Sequence, residues 1–222
     1  MKILFQGDSI TDVGRERNNE RWSELGFPQV MGCGYPQLIA AKLGFECPNE
    51  YEFLNRGISG NRVSDLLGRM KIDMINEKPD IMSILIGVND VWHDYLVGNG
   101  ISAELFEKIY NLLIQEVKKE LPDIRILILE PFILRGTATE QNYEEFRAEV
   151  LLRAKAAKRV AEMNHVEFIP LQEIFDRVVK LAPANHWLGD GVHPTSAGHE
   201  LIAREWIKQF RMRSYQVDGE NK

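Results

Sequence analysis

Five short runs rich in apolar residues, separated by longer segments, set the hydrophobic pattern of this chain. The runs are Ile3–Phe5, Tyr51–Asn55, Ile81–Ile86, Ile124–Leu129 and Val166–Pro170. The first run is continuous in apolar residues, which is typical of a strand buried on both faces of a parallel sheet. The third run has the strongest strand character. The pattern therefore predicts five β-strands.

Helical periodicity fills most of the segments between these runs. One of them shows an apolar stripe at helical spacing, formed by Phe106, Ile109, Leu113 and Val117. The predicted helices are Tyr35–Leu43, Ser64–Asn76, Ala103–Glu120, Tyr143–Asn164, Gln172–Leu181 and Ser196–Arg211. Three stretches without such periodicity are predicted to be irregular, and they are Arg15–Gly34, Asn89–Gly100 and Pro183–Pro194. The polar segment from Ser214 is predicted to be a frayed tail.

Strands that alternate with helices predict an α/β fold, a three-layer α/β/α sandwich around a parallel sheet with right-handed crossovers. The flavodoxin-like version has five strands in the order 2-1-3-4-5. In that order the first strand lies between the second and the third, so the turns that carry Ser9, Gly57 and Asn89 meet at one edge of the sheet. We expect one domain over residues 1–213, followed by a polar tail over residues 214–222.

Composition excludes several classes of protein. The chain has 222 residues, 44% of them hydrophobic, and a net charge of −6, which disfavours nucleic acid and anionic membranes as partners. Its two cysteines, Cys33 and Cys47, form neither a disulfide framework nor a metal motif, so we expect reduced thiols. No signal-peptide pattern or membrane-spanning apolar segment is evident. These features predict a cytoplasmic location.

The first strand leads into the polar turn Gly7–Asp12, which contains Asp8 and Ser9. Ligands of open α/β sheets collect at the carboxyl ends of the strands, so Ser9 is expected at the rim of a cleft. A serine there is a candidate nucleophile if a base lies within hydrogen-bond reach. The alternative is that Asp8 and Ser9 only cap the next helix.

One of the five histidines is the best candidate for that base. His193 follows Asp190 by three residues, and Pro194 keeps it out of a helix. In a turn, this spacing allows the carboxylate to reach the imidazole. The alternative is a surface Asp–His turn ahead of a helix. His165 and His199 are expected to be caps or solvated, and the last two, His93 and His186, lie in polar loops.

Four blocks of the sequence together resemble the SGNH (GDSL) hydrolase family. They are Gly7-Asp8-Ser9, Gly57, Gly87-Val88-Asn89-Asp90 and Asp190-Gly191-Val192-His193-Pro194. The resemblance implies the flavodoxin-like fold, with Ser9 as nucleophile, His193 as base and Asp190 as the residue that orients the base. It also implies an oxyanion hole made by the N–H groups of Ser9 and Gly57 and the side-chain amide of Asn89. Thr11 replaces the last glycine of the Gly-x-Ser-x-Gly elbow of α/β-hydrolases.

Within that family, the blocks are most similar to carbohydrate acetyl esterases, notably acetylxylan esterases. This similarity implies an ester substrate such as an acetylated oligosaccharide, with no metal or other cofactor. Asp8, Trp22, Trp92 and Trp187 are candidates for substrate binding, although aromatic side chains also pack loops together. The alternatives are a lysophospholipase or thioesterase for longer acyl chains and a non-catalytic carbohydrate-binding module. The Arg15–Gly34 stretch is a candidate rim of the site or a contact between copies of the chain.

Overall fold

The computed structural model describes residues 1–18 and 26–219 of the chain. Its five strands are β1 (Lys2–Gly7), β2 (Glu52–Asn55), β3 (Ile81–Leu85), β4 (Arg125–Leu129) and β5 (Glu167–Ile169). All adjacent pairs are parallel, and the order across the sheet is β2-β1-β3-β4-β5. The predicted fold class and strand order are therefore confirmed.

Each strand is followed by at least one α-helix in the described part of the chain. The helices are α1 (Ser9–Asp12), α2 (Tyr35–Glu46), α3 (Val63–Met70), α4 (Val88–Val97), α5 (Ala103–Glu120), α6 (Tyr143–Asn164), α7 (Gln172–Val178), α8 (Ala184–Trp187) and α9 (Ser196–Gly219). A wider π-helical turn, Lys71–Ile75, continues α3, and short 3₁₀ turns form at Pro28–Met31 and Glu140–Asn142. The bounds predicted for α5 and α6 match those in the structure.

Side chains from the two faces of the sheet enter two separate cores, because successive residues of a strand point to opposite faces. Ile3 and Phe5 of β1 face a cluster that includes Ile39 of α2 and Trp206 of α9. Leu4, between them, faces the other core. That second core is lined by residues of α3, α5 and α6, among them Leu66, Phe106, Leu113 and Val160. The three-layer arrangement follows from this division.

Three predicted segments differ from the structure. Asn89–Gly100, predicted as a loop, contains α4, since Val88 and Val91 lie one helical turn apart in the core and Gly98 ends the helix in a left-handed conformation. The short helix α8 interrupts the irregular stretch Pro183–Pro194.

The third difference is at the C-terminus, where the last helix is longer than expected. The predicted end was Arg211 with a frayed tail from Ser214, but the backbone of α9 stays helical through Gly219. The predicted end followed from where the apolar face of this helix stops. Backbone hydrogen bonds can continue a helix beyond its apolar face. Residues 220–222 of the predicted tail lie outside the described residues.

None of the helices in the described part of the chain combines the length and the apolar composition that a membrane crossing requires.

Candidate active site

Ser9 lies where β1 ends, at the edge of the sheet that the strand order predicts. The carboxyl end of β1 passes directly into α1, whose first residue is Ser9. Asp8 caps this short helix, with Oδ1 accepting the N–H of Ile10 at 3.0 Å. The capping alternative thus holds for Asp8, while the half-buried Ser9 presents its hydroxyl to another element.

The three residues expected to act together are hydrogen-bonded to one another. Ser9 Oγ lies 3.0 Å from Nε2 of His193, and Nδ1 of His193 lies 2.7 Å from Oδ2 of Asp190. Ser9 and His193 are 184 positions apart in sequence, so the fold itself creates this contact. The side chain of His193 is 43% exposed, which leaves its ring open to a substrate and to water.

The carboxylate of Asp190 is fixed on both of its oxygens. Oδ1 accepts the backbone N–H groups of Val192 and His193, each at 2.8 Å, while Oδ2 faces the imidazole. Burial acts to raise the pKa of Asp190, but the hydrogen bonds from His193 and Val192 outweigh it and hold the pKa below its usual value. An ionised Asp190 accepts a hydrogen bond from the Nδ1–H of His193, which leaves Nε2 as the acceptor for the Ser9 hydroxyl.

The loop after β4 holds the backbone of Asp190 in place. Ala138 N–H donates to the Asp190 carbonyl, and Leu134 N–H donates to the Gly191 carbonyl, both at 2.9 Å. A Cβ on Gly136 would lie only 2.3 Å from the carbonyl carbon of Asp190. Gly136 therefore permits a close backbone contact that no larger residue allows.

Two of the three predicted oxyanion donors are arranged to act. The Ser9 N–H lies in the first turn of α1, where helix N–H groups lack an intrahelical acceptor. Asn89, buried in the first turn of α4, donates one Nδ2 hydrogen to the Asn61 carbonyl at 3.1 Å, and its amide carries a second N–H. In contrast, the Gly57 N–H donates to Oδ1 of Asn55 at 2.9 Å, so this donor is already bonded within the protein.

Two buried carboxylates lie beneath the site. Asp8 and Asp90 are 2% and 0% exposed, and burial raises the pKa of each to about 7. Asp90 accepts the Val63 N–H, and its electrostatic interaction with Asp8 raises its pKa further. This degree of burial does not fit the prediction that Asp8 contacts substrate. Its charge instead acts on His193, with which it interacts electrostatically.

Two of the three tryptophans proposed to bind sugar, Trp92 and Trp187, lie in the described residues and have different surroundings. The ring of Trp92 lies beside the imidazole of His193, with 5.8 Å between centroids, and also contacts Phe146. Trp187 lies in α8, and its indole N–H donates to the Ala182 carbonyl. Trp22 lies outside the described residues. Of the two that are described, Trp92 is the one in contact with the triad.

The other four histidines lie in helices or at a helix end. His199, expected to be a cap or solvated, is instead 3% exposed, and its Nδ1 accepts the Tyr35 N–H at 3.2 Å. Burial lowers the pKa of His199 to about 4. His165 ends α6 in a left-handed conformation, which agrees with a capping role. His93 and His186 were predicted in loops but lie in α4 and α8.

Sequence reasoning missed the polar residues that hold the backbone segments of the site together. Asn55, at the end of β2, is 2% exposed and donates to the carbonyls of Thr11 and Met31 while it accepts from Gly57. The sequence signal for it was its position directly ahead of the Gly57 block.

Asp12, at the end of α1, has a similar supporting role. Its Oδ2 accepts both the backbone N–H and the hydroxyl of Ser59 and also pairs with Arg17. Arg15 adds a bond from its Nε to the Gly57 carbonyl at 2.9 Å. Together these residues tie the Ser9 helix to the turn after β2.

Comparison with known proteins gives consistent matches over nearly the whole chain. Residues 5–201 match the GDSL-like Lipase/Acylhydrolase family. The chain is 34% identical over 215 residues to an acetylxylan esterase of Geobacillus stearothermophilus. The aligned region covers 94% of this chain and 93% of the relative. The crystal structure of that organism's acetylxylan esterase matches with a TM-score of 0.81 at 33% identity, covering 93% of this chain and 92% of the other.

A second solved structure gives a similar result. A protein from Parabacteroides merdae named as a GDSL-like lipase matches with a TM-score of 0.84 at 40% identity, covering 93% of this chain and 94% of that one. Three further structures of the Geobacillus enzyme are described as catalytic mutants, one at a serine, one at an aspartate and one at a histidine.

Proposed function

Because this chain belongs to the GDSL-like lipase/acylhydrolase family and is a carboxylic ester hydrolase, we propose that it cleaves short-chain esters through an acyl-enzyme on Ser9. The observation that carries the proposal is the continuous hydrogen-bonded path from Ser9 Oγ through His193 to Asp190. A serine is a weak nucleophile until a base removes its proton, and the base must itself be held in the correct tautomer. These two contacts support the proposal because they place the base beside the hydroxyl and the carboxylate beside the base.

In the first half of the reaction, Ser9 Oγ attacks the ester carbonyl as its proton moves to Nε2 of His193. The new imidazolium is stabilised by the carboxylate of Asp190, which remains ionised. The same proton then passes to the leaving alkoxide, and the alcohol departs. In the second half, water gives a proton to Nε2 and attacks the acyl-enzyme. The bond to Oγ then breaks as Nε2 returns that proton to it, which releases the acid and restores Ser9.

The tetrahedral intermediates place negative charge on the former carbonyl oxygen, which requires fixed donors. We assign the Ser9 N–H and the Asn89 amide to this charge. The Gly57 N–H can also stabilise this charge only if its hydrogen bond to Oδ1 of Asn55 is shared or broken. We therefore expect Gly57 to contribute less than the other two.

For the substrate, we propose O-acetyl groups on carbohydrates. Support comes from the relatives, one of which is named an acetylxylan esterase and is also described as an acetyl-xylooligosaccharide esterase. Trp92 lies beside the base, where an aromatic face suits stacking on a sugar ring. A small acyl group needs little apolar surface in the site. A longer acyl chain is bound well only where the site also buries its further CH₂ groups, each of which contributes about 0.8 kcal/mol when buried.

A second candidate is hydrolysis of longer acyl chains by a lysophospholipase or thioesterase. The observation in its favour is an exposed apolar segment at the end of α4, where Tyr95, Leu96 and Val97 are 44%, 65% and 73% exposed. The same helix carries Asn89 in its first turn, so the segment belongs to an element of the site.

The two candidates are separated by kcat/KM on p-nitrophenyl esters with acyl chains of increasing length, measured beside peracetylated xylobiose. We expect the largest kcat/KM at acetate, with acetate released from the sugar. Paired substitutions of Leu96 and Val97 by serine should leave acetate hydrolysis unchanged. A maximum at long chains that these substitutions abolish, with no acetate released from the sugar, would instead establish the second candidate.

A further inference from the structure

Arg69, near the end of α3, uses every donor of its guanidinium group within the protein. A guanidinium carries five N–H groups in a fixed planar arrangement. Its acceptors are Oδ1 of Asn61, Oδ2 of Asp73, Oε1 of Gln6 and the carbonyls of Arg56 and Gly7, at 2.6 to 3.3 Å. The side chain is only 15% exposed. Such complete use of donors fixes the segments that contribute the acceptors relative to one another.

Those segments are the ones that form the site. Gly7 ends β1 immediately ahead of Asp8 and Ser9, and the Arg56 carbonyl precedes Gly57. Asn61 lies between the Gly57 turn and α3. Arg69 therefore joins the ends of two adjacent strands to the loop in front of its own helix.

Asn61 connects this network to the oxyanion site. Its side chain accepts from Nε of Arg69 at 2.8 Å, and its backbone carbonyl accepts from Nδ2 of Asn89 at 3.1 Å. That second bond sets the rotation of the Asn89 amide, and so the direction of its remaining N–H. The N–H of Val63, the first residue of α3, donates to Asp90 and so adds a bond between this region and α4.

We propose that Arg69 is a positioning residue of the oxyanion hole, acting through Asn61 on the amide of Asn89. The inference rests on the proposed function, since it requires that Asn89 stabilise the oxyanion. Arg69 does not itself touch the substrate. Its charge is balanced by Asp73, which the π-helical turn Lys71–Ile75 carries beside it at 2.7 Å.

A lysine cannot replace this arrangement, because an ammonium has three donors at one point and lacks the planar geometry. The Arg69→Lys substitution therefore retains the charge opposite Asp73 but loses the bond to Asn61. Since small displacements at an active site cost up to about a hundredfold in rate, we expect kcat for p-nitrophenyl acetate to fall about tenfold. KM should change little, because the oxyanion forms only after the substrate has bound.

A double-mutant cycle with Asn89→Ala distinguishes positioning from general structural support. Once Asn89 is absent, Arg69→Lys should cause no further loss of kcat. The matched control is Arg125→Lys at the opposite end of the sheet. Arg125 is also 15% exposed and is bonded to Glu167 and to two carbonyls of α9. This control should lower the melting temperature and leave kcat unchanged.

If Arg69→Lys does not fold, Asn61→Ala tests the same link, since it removes the acceptor of Arg69 Nε but keeps the carbonyl that holds Asn89. It should lower kcat in the wild-type background and not in Asn89→Ala. Equal losses of kcat in both backgrounds, or a change in melting temperature alone, would overturn the inference. If Asn89→Ala alone leaves kcat unchanged, the oxyanion assignment fails and this inference fails with it. The assay uses a simple acetate, so it does not depend on whether the natural substrate is a sugar ester.

Discussion

The Asp8→Asn substitution should make the folded protein more stable, by an amount that depends on pH. Asp8 is fully buried, and burial raises its pKa from 3.8 to about 7. Between about pH 4 and pH 7, Asp8 is therefore protonated in the folded state and ionised in the unfolded chain. Over this window the wild-type protein loses stability as the pH rises. Asparagine resembles the neutral acid and keeps an oxygen for the Ile10 N–H, so it avoids this loss.

The size of the effect follows from the pKa shift. A change of one pKa unit corresponds to about 1.4 kcal/mol, so the rise of about three units corresponds to a destabilisation of up to about 4 kcal/mol above pH 7. For a protein of this size, 4 kcal/mol shifts the melting temperature by roughly 8–16 °C. The advantage of Asp8→Asn should be nearly absent at pH 4, grow up to pH 7 and then remain constant.

The assay is denaturant unfolding of the wild type and Asp8→Asn at half-unit steps from pH 4 to pH 9. Asp65→Asn is the control, since burial acts to raise the pKa of Asp65 but its hydrogen bonds with Arg62 hold it below the usual value. That substitution should destabilise the protein by an amount that stays nearly constant over this range, because the stability gained from a lowered carboxyl pKa is already present above about pH 4. A stability difference for Asp8→Asn that does not change with pH would refute the reasoning. We also expect a lower kcat, because Asp8 no longer stabilises the imidazolium of His193.

Three further predictions concern the residues that support the site. Gly136→Val should displace Asp190 and lower kcat about a hundredfold, whereas Gly44→Ala, whose added Cβ meets nothing closer than 4.0 Å, should leave kcat unchanged. Asn55→Ala should destabilise the protein by about 1–3 kcal/mol in denaturant unfolding, since it leaves buried groups without partners. The His199 pKa of about 4 means that stability is lost as pH falls from about 6.5 to 4, and His199→Asn should flatten this loss in melts across that window.

The sheet and the candidate catalytic residues were accessible from the sequence for physical reasons. Buried parallel strands leave apolar runs such as Ile81–Leu85, and the order of those strands brings the Ser9 turn and Asn89 to one edge. Asp190 and His193 are close in sequence, so a turn alone brings their side chains together. Local patterns of this kind do not depend on the details of packing.

The prediction failed where polar groups are buried by hydrogen bonding. Asn89 and Asp90 suggested a loop, but both are buried at the start of α4, where Asn89 bonds to Asn61 and Asp90 bonds to Val63 at the start of α3. His199 suggested a solvated residue, yet it accepts a backbone N–H from Tyr35 in another element. A sequence does not reveal such partners, since they come from distant parts of the chain. The same limit hid Arg69 within an ordinary helical segment.

The central claim, that Ser9 is the nucleophile, is tested most directly by covalent labelling with a fluorophosphonate. This reagent requires an activated serine, and mass spectrometry of the digested protein locates the label. We predict one label per chain, on the peptide that contains Ser9, with hydrolysis of p-nitrophenyl acetate lost in proportion to labelling. Ser9→Ala should melt like the wild type, take up no label and hydrolyse no ester. A label on a different residue that accompanies the loss of activity, or continued turnover by Ser9→Ala, would contradict the account.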